Sequence, residues 1–425
     1  MNKTRIAFAS FTMLVTLPCG PVYAQSAADI AVLRQELQTL RAEQANTAAK
    51  IDRVEAAINQ LASPTTVPTS QFTPSGKLTP LAIESFVPTA LDISGDIRLR
   101  YEANFGGRDT RNRDRGVLRA RHRGSYAVTN WLSAGGELST GDADDPNSSD
   151  ITLSNFDDDL AVSLDQAWLR FRTGKIELTG GKIPLPFVRT DMVWDGDVYP
   201  QGASATYATN VETASFKASA LYFLIDESVG GPDSRMIGSQ LAMEFPVNAK
   251  LRVDLAASYY DYRLNSIAGG DVGDFRSNRF ANGAYLSDFN LLDIIGSATW
   301  NGLGRRWPLK VTANYVRNFG ATTKADTGLM ISVLAGRTTN RGDWRLGYGY
   351  AQADIDAVFA AFSEDNTTLA TNYVQHNASV DYVIRPHLIL GGTFYRFKPK
   401  SMIGAGINEP NDWLNRFRIN LLAEF

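Results

Sequence analysis

Cysteine is nearly missing from this sequence: among 425 residues there is one, Cys19, and there are three histidines, His122, His376 and His387. That excludes a disulfide scaffold and leaves no cysteine–histidine set for a metal or for nucleophilic catalysis. No run of 18 or more apolar residues occurs, which excludes a helical membrane span. An excess of positive charge is lacking too. There are 42 Lys and Arg against 45 Asp and Glu, a net charge of −3, whereas a nucleic-acid partner would require a basic face. At 44% apolar residues the chain is too hydrophobic for a disordered tail. Gly180-Gly181-Lys182 lacks the remainder of a phosphate-binding loop, and no nucleophile elbow is present. We expect no enzyme: no catalytic residue, no cofactor and no metal.

What is present begins with a leader. Lys3 and Arg5 precede an apolar stretch over residues 6–17, and Val22 and Ala24 occupy the small-residue positions of a cleavage site before Gln25. Residues 1–24 therefore read as a signal peptide. Its removal takes away Cys19 and two cations, lowering the net charge from −3 to −5. Cys19 raises a lipoprotein alternative, but Pro18 before it does not suit a lipidation box.

Residues 25–62 form the next unit. Steps of three and four alternate through Ile30, Leu33, Leu37, Leu40, Gln44, Thr47, Ile51, Val54, Ile58 and Leu61, an a/d seam with neither Gly nor Pro. Glu36 and Lys50 at g positions face Arg41 and Glu55 at the following e positions, which suits parallel chains. Gln44 and Thr47 place polar groups mid-seam, fixing register at a cost in stability. The pattern predicts a parallel coiled coil roughly 50 Å long, with an amphipathic helix packed on its own domain as the alternative. Residues 63–90 carry prolines at 64, 68, 74, 80 and 88 and form a Pro/Thr-rich spacer between domains.

Beyond Leu91 the period changes to two. Ile93, Ile97, Leu99 and Tyr101 alternate with Ser94, Asp96, Arg98 and Arg100, and Phe417, Ile419, Leu421, Ala423 and Phe425 alternate with Arg416, Arg418 and Asn420. About sixteen strands can be placed, near 91–104, 114–128, 131–140, 163–173, 176–183, 201–209, 212–225, 235–246, 249–262, 289–300, 307–319, 327–338, 342–357, 371–384, 387–398 and 411–425. Their joins alternate between short turns (such as 129–130, 174–175 and 247–248) and long polar loops (105–113, 141–162, 184–200, 226–234, 263–288, 320–326, 358–370 and 399–410). A soluble sandwich has no reason to gather every long loop at one end, whereas a transmembrane barrel does. Trp131, Trp300, Trp307 and Trp344 adjoin short turns. Tyr222, Tyr259, Tyr260, Phe319, Phe394 and Trp413 lie toward long loops, so two aromatic girdles are expected. The expected fold is all-β: a 16-stranded antiparallel transmembrane β-barrel over residues 91–425, preceded by the helical coiled coil.

Sixteen strands leave an aqueous interior. The inward register carries Arg98, Arg100, Arg119, Arg121, Arg123, Arg170, Arg172, Arg416 and Arg418, and lipid is a costly place for them. Residues 184–197 mix Phe187, Met192, Val193 and Trp194 with Asp191, Asp195 and Asp197. Folded into the pore, that loop would pack its apolar groups on the wall and aim its acids at the arginines, making a constriction with a transverse field. Residues 141–162 carry seven Asp (142, 144, 145, 150, 157, 158 and 159) and no base, but lack the Gly and Glu of an EF-hand loop. They read as a solvated outer loop, or one bridged to lipopolysaccharide by divalent cations.

Several of these runs resemble the Putative porin family of Gram-negative outer membranes. They are Ser94-Gly95-Asp96-Ile97-Arg98-Leu99-Arg100-Tyr101-Glu102, Arg119-Ala120-Arg121, Leu164-Asp165-Gln166-Ala167, Gly180-Gly181-Lys182 with Pro186-Phe187, and Val193-Trp194-Asp195. The resemblance spans most of 91–425 and implies a diffusion channel, commonly trimeric. An anion-preferring relative is the variant reading, although the lysine ladder it would favour is replaced here by arginine. Small or mildly polar outward positions on the first three strands (Gly95, Ala120, His122, Gly124, Ala134 and Gly136) suggest a homotrimer interface there. The expected surroundings are outer-membrane lipid and lipopolysaccharide, with the coiled coil in the periplasm within reach of peptidoglycan. Two other classes stay open: a structural tether that uses the barrel only as an anchor, and an outer-membrane hydrolase, for which no suitable Ser/His or Asp/His set is found.

Overall fold

The structure, a computed structural model, describes residues 91–106, 112–142, 145, 147–154, 160–266, 276–401 and 412–425. The leader, the heptad segment with its entire seam from Ile30 to Leu61, and the spacer lie outside the described residues, as do Asp144, Asp157, Asp158 and Asp159.

Sixteen long strands follow one another: β1 (Leu91–Phe105), β2 (Arg113–Ala127), β3 (Leu132–Thr140), β4 (Val162–Thr173), β5 (Ile176–Lys182), β6 (Gln201–Val211), β7 (Ala214–Asp226), β8 (Ser234–Asn248), β9 (Leu251–Arg263), β10 (Asn290–Trp300), β11 (Leu309–Asn318), β12 (Thr327–Gly336), β13 (Trp344–Ala353), β14 (Tyr373–Arg385), β15 (Leu388–Pro399) and β16 (Leu414–Glu424). Each pairs antiparallel with its neighbours in sequence, and β1 also pairs with β16, Asp96 opposite Glu424 and Phe105 opposite Asn415. The sheet is therefore a closed barrel, and the expected strand positions hold to within a few residues. A two-residue strand, Ile151–Thr152, adds to β2 beyond the end of β3. Among the described residues the only helical element is a 3₁₀ turn, Ala360–Phe362.

The period of two sorts side chains onto two surfaces. Ile97, Leu99 and Tyr101 point outward and are 45–49% exposed, whereas Asp96 and Glu102 on either side of them are buried. An apolar exterior around a polar interior inverts the soluble arrangement and matches a lipid-facing wall. Trp131, Trp300, Trp307 and Trp344 are 39–50% exposed at the short-turn end, as a girdle requires. One expected girdle residue is misplaced. Tyr259 faces out, but Tyr260 is fully buried inside the barrel, because consecutive strand residues face opposite sides.

The final residue completes the closure. Gly95 N–H donates to the Phe425 carbonyl at 2.8 Å and Phe425 N–H to the Gly95 carbonyl at 3.0 Å. The Phe425 ring lies over Gly95, beside the His122 ring at 6.0 Å, and a Cβ at position 95 would overlap both that ring and the Arg121 carbonyl oxygen. Gly95 is thus the seat of the C-terminal ring. The variant Gly95→Leu should displace Phe425 and destabilise the seam by about 1–3 kcal/mol. The heat-modifiable folded band on a semi-native gel should then shrink, while an unchanged band would show that the ring is not seated there.

Candidate functional site

Inside the barrel, the arginines on β16, β1 and β2 meet carboxylates directly. Asp96 receives Arg119 and Arg121, both at 2.8 Å, with Arg123 at 3.5 Å. Glu137 on β3 holds Arg123 at 2.8 Å. Glu102 binds Arg418 at 2.6 Å and Arg115 at 2.8 Å, with Arg416 at 3.8 Å. Asp150, from the second long loop, pairs with Arg98 and, at 2.6 Å, with Arg100. Asp150 therefore enters the barrel and leaves the group of solvated outer-loop acids in which the sequence placed it. Asp96 and Glu102 stand two residues from Arg98 and Arg100 in the same inward register, a signal that strand alternation alone could have supplied.

Arg170 and Arg172 stand apart from this cluster. Arg121 faces Ser139 across β2–β3, while Arg170 faces Ser133 across β3–β4, a separation of six residues or about 20 Å along β3. At the short-turn end they pair with Glu177 on β5 at 3.4 and 2.5 Å, and Arg170 also lies over the Trp168 ring at 4.3 Å.

The loop between β5 and β6 folds inward, as its mixture of residues suggests. Ile183, Phe187, Met192, Val193, Trp194 and Val198 are buried against inward side chains of the opposite wall, among them Leu221, Phe223, Tyr260 and Tyr262. Trp194 meets Tyr260 edge-on at 5.6 Å. Its three acids have different fates. Asp197 reaches Arg121 at 3.0 Å and accepts the Ser149 N–H at 3.3 Å. Asp191 pairs with Arg189 of its own loop at 2.8 Å. Asp195 is buried and accepts the Asp197 N–H at 2.9 Å, and its carboxyl is pushed well above the usual range by burial and by the charges of Asp365, Asp191 and Asp197. Only Asp197 touches the arginine cluster.

A second loop, between β13 and β14, also turns inward, which the sequence reading missed by taking 358–370 as a polar outer loop. Ala357, Val358, Phe359, Phe362 and Leu369 are buried, Phe362 stacks on Trp194 at 5.9 Å, and the Asp195 N–H donates to the Phe362 carbonyl at 2.8 Å. Arg276 fastens this loop by donating to the carbonyls of Ala360, Ser363 and Glu364 at 3.1, 2.9 and 2.7 Å. Asn366 at its far side accepts from Arg416 through its carbonyl (2.8 Å) and from Arg418 through its side chain (3.0 Å). The apolar run Val358-Phe359-Ala360-Ala361-Phe362 carried the same signal as the first inward loop.

Burial, reinforced by the charge of Asp191, raises the Glu364 carboxyl from 4.5 to about 7. A raised acid favours the packed loop fully below pH 4.5, and that advantage is lost as pH rises to about 7, by on the order of 3 kcal/mol. Hydrogen-exchange protection of the loop amides between β13 and β14 should therefore fall by about two orders of magnitude from pH 4.5 to pH 7.5. Glu364→Gln should flatten most of that dependence. Equal protection in the parent at both pH values would show that Glu364 does not govern the loop.

Residues 107–272 match the family described as Putative porin. No curated protein matches the chain. Among solved structures, the chain is similar to Pseudomonas putida OprB at high pH, with a TM-score of 0.54 and 12% identity over 79% of this chain and 94% of that one. Salmonella typhi OmpF, in complex with daunomycin, aligns with a TM-score of 0.49 and 13% identity over 79% and 97% of the two chains. The OprB likeness concerns the fold alone. For the family, the resemblance read from short strand motifs is borne out by the Putative porin match over residues 107–272.

Proposed function

We propose that the protein is an outer-membrane porin, a passive channel for small hydrophilic solutes and ions. The observation that carries the reading is the closed sixteen-stranded cylinder with an apolar exterior and a charged interior. Arg98, Arg100, Arg119, Arg121, Arg123, Arg416 and Arg418 form one wall of the passage, and Asp197 is the one acid of the first inward loop that reaches it. Because that wall is already bridged by carboxylates, its field is that of paired charges rather than of an open gap. Arg170 and Arg172 belong to the inner vestibule.

In the same reading residues 25–62 form a periplasmic coiled coil, joined by the spacer 63–90, that gathers barrels into a homotrimer and reaches toward peptidoglycan. The heptad seam supports this, as do Ala120, His122, Gly124, Ala134 and Gly136 on the outer face of β2 and β3. The leader at 1–24 directs export, and outer-membrane lipid and lipopolysaccharide surround the barrel. A structural tether is the alternative, separated from a channel by whether the membrane conducts.

Planar-bilayer recording decides between them. The folded protein should give discrete steps of current. Arg121→Ala, which also releases Asp197, should change step size and shift the reversal potential in a salt gradient toward cations. A membrane that stays sealed would overturn the channel reading, and unchanged steps in the variant would remove Arg121 from the passage.

A further inference from the structure

The outer face of β14–β16 carries cations where a lipid-facing wall should carry none. Phe394, Arg396 and Lys398 share one face of β15, while Phe397 between them is buried inside. Arg396 is exposed and lies over the Trp413 ring at 5.1 Å, and the Lys398 ammonium lies over the same ring at 5.3 Å. His376 faces Arg396 across β14–β15 and packs on Trp413 at 5.9 Å. Its Nδ1 meets the Tyr348 hydroxyl at 2.9 Å, and the tautomer in which Nδ1 accepts leaves Nε2–H as an outward donor. Among the described residues no carboxylate pairs with Arg396 or Lys398. Two outward cations near long loops have carboxylate partners, Arg263 with Asp261 at 3.1 Å and Arg317 with Asp326 at 3.2 Å.

The level of these groups is fixed by register. One row toward the membrane centre, Tyr348, Ala378, Phe394 and Phe417 stand side by side across β13–β16, an apolar row that belongs with acyl chains. A cation at the bilayer centre costs about 2–4 kcal/mol, falling to about 0–1 at the interface, so Arg396 and Lys398 mark the headgroup level at the long-loop end. They are two residues apart on one strand face, about 7 Å, held by a shared aromatic ring and, among the described residues, without a carboxylate partner. We propose that this patch binds the phosphate groups of lipopolysaccharide, with Arg396 and Lys398 as charged donors and His376 as a further donor, and with the lipid chains lying on the aromatic row below. The inference rests on the reading of the barrel as an outer-membrane protein with its long loops outward.

The test is a native-gel shift of the full-length folded protein in detergent, titrated with lipopolysaccharide and with the same lipopolysaccharide stripped of phosphate. The parent should bind the phosphorylated form about tenfold or more tighter. The double variant Arg396→Gln/Lys398→Gln should lose that preference, while Arg263→Gln, whose parent is already paired, should keep it. Retention of the phosphate preference by a double variant that still shows the heat-modifiable band would overturn the proposal. So would a variant that loses only oligomer cross-links, since the patch would then face a neighbouring subunit. Should the double variant fail to fold, the comparison of the two lipopolysaccharides on the parent decides: equal affinity rejects the site. Current steps together with phosphate-blind binding would sink this inference alone and leave the channel standing.

Discussion

A backbone that must satisfy all its hydrogen bonds without water is the constraint from which the rest of this molecule follows. Lipid offers no partner to an open strand edge, so a membrane-spanning sheet has to close. Here the seam between β1 and β16 runs from Phe105 opposite Asn415 to Asp96 opposite Glu424, and the reciprocal bonds of Gly95 and Phe425 extend it to the last residue. Once the sheet is closed, the strand period leaves each side chain a choice of two environments. Ile97, Leu99 and Tyr101 take the lipid, and Asp96, Arg98, Arg100 and Glu102 take the interior.

The interior placement then creates its own requirement. Eight guanidinium groups crowd the wall formed by β16, β1 and β2, several of them largely shielded from solvent, and unpaired cations there would be expensive. Five carboxylates, Asp96, Glu102, Glu137, Asp150 and Asp197, each hold one to three of them. Removing one member of a buried pair typically costs about 3–5 kcal/mol because its partner is stranded. The network is consequently part of what makes the wall foldable, and a carboxylate change there acts on structure first.

How far the sequence went is clear from particular residues. Strand boundaries were legible because alternation over ten or more residues leaves little freedom of register, and the Trp residues beside the short turns were legible because interfacial aromatics keep to one level. The inward fold of the loop carrying Trp194 was also readable, since exposed loops do not need Phe187, Met192, Val193 and Trp194 together. The contacts were not. Composition groups Asp150 with its acidic neighbours because it cannot reveal that the chain doubles back to pair Ile151 and Thr152 with β2. The loop between β13 and β14 reads as polar because its apolar run is flanked by Ser363, Glu364, Asp365 and Asn366. Those groups are polar yet largely buried, an arrangement that only tertiary partners such as Arg276 and Arg418 make affordable.

The two inward loops also account for inward residues that an aqueous pore would not want. Leu221, Phe223, Met236, Tyr260, Tyr262, Leu291 and Val316 face the interior and are nonetheless dry, because Trp194, Phe359, Phe362 and their neighbours cover them. On these strands the interior is apolar where the loops cover it and polar farther down, at Gln240, Asp254 and Ser297, whereas β16, β1 and β2 carry arginine–carboxylate pairs. Strand number sets the diameter of the cylinder, whereas the loops decide how much of that diameter is left for water. The space left inside the cylinder accordingly depends on how Trp194 and Phe362 pack and on where Asp197 meets Arg121. The barrel supplies the frame that holds them opposite each other.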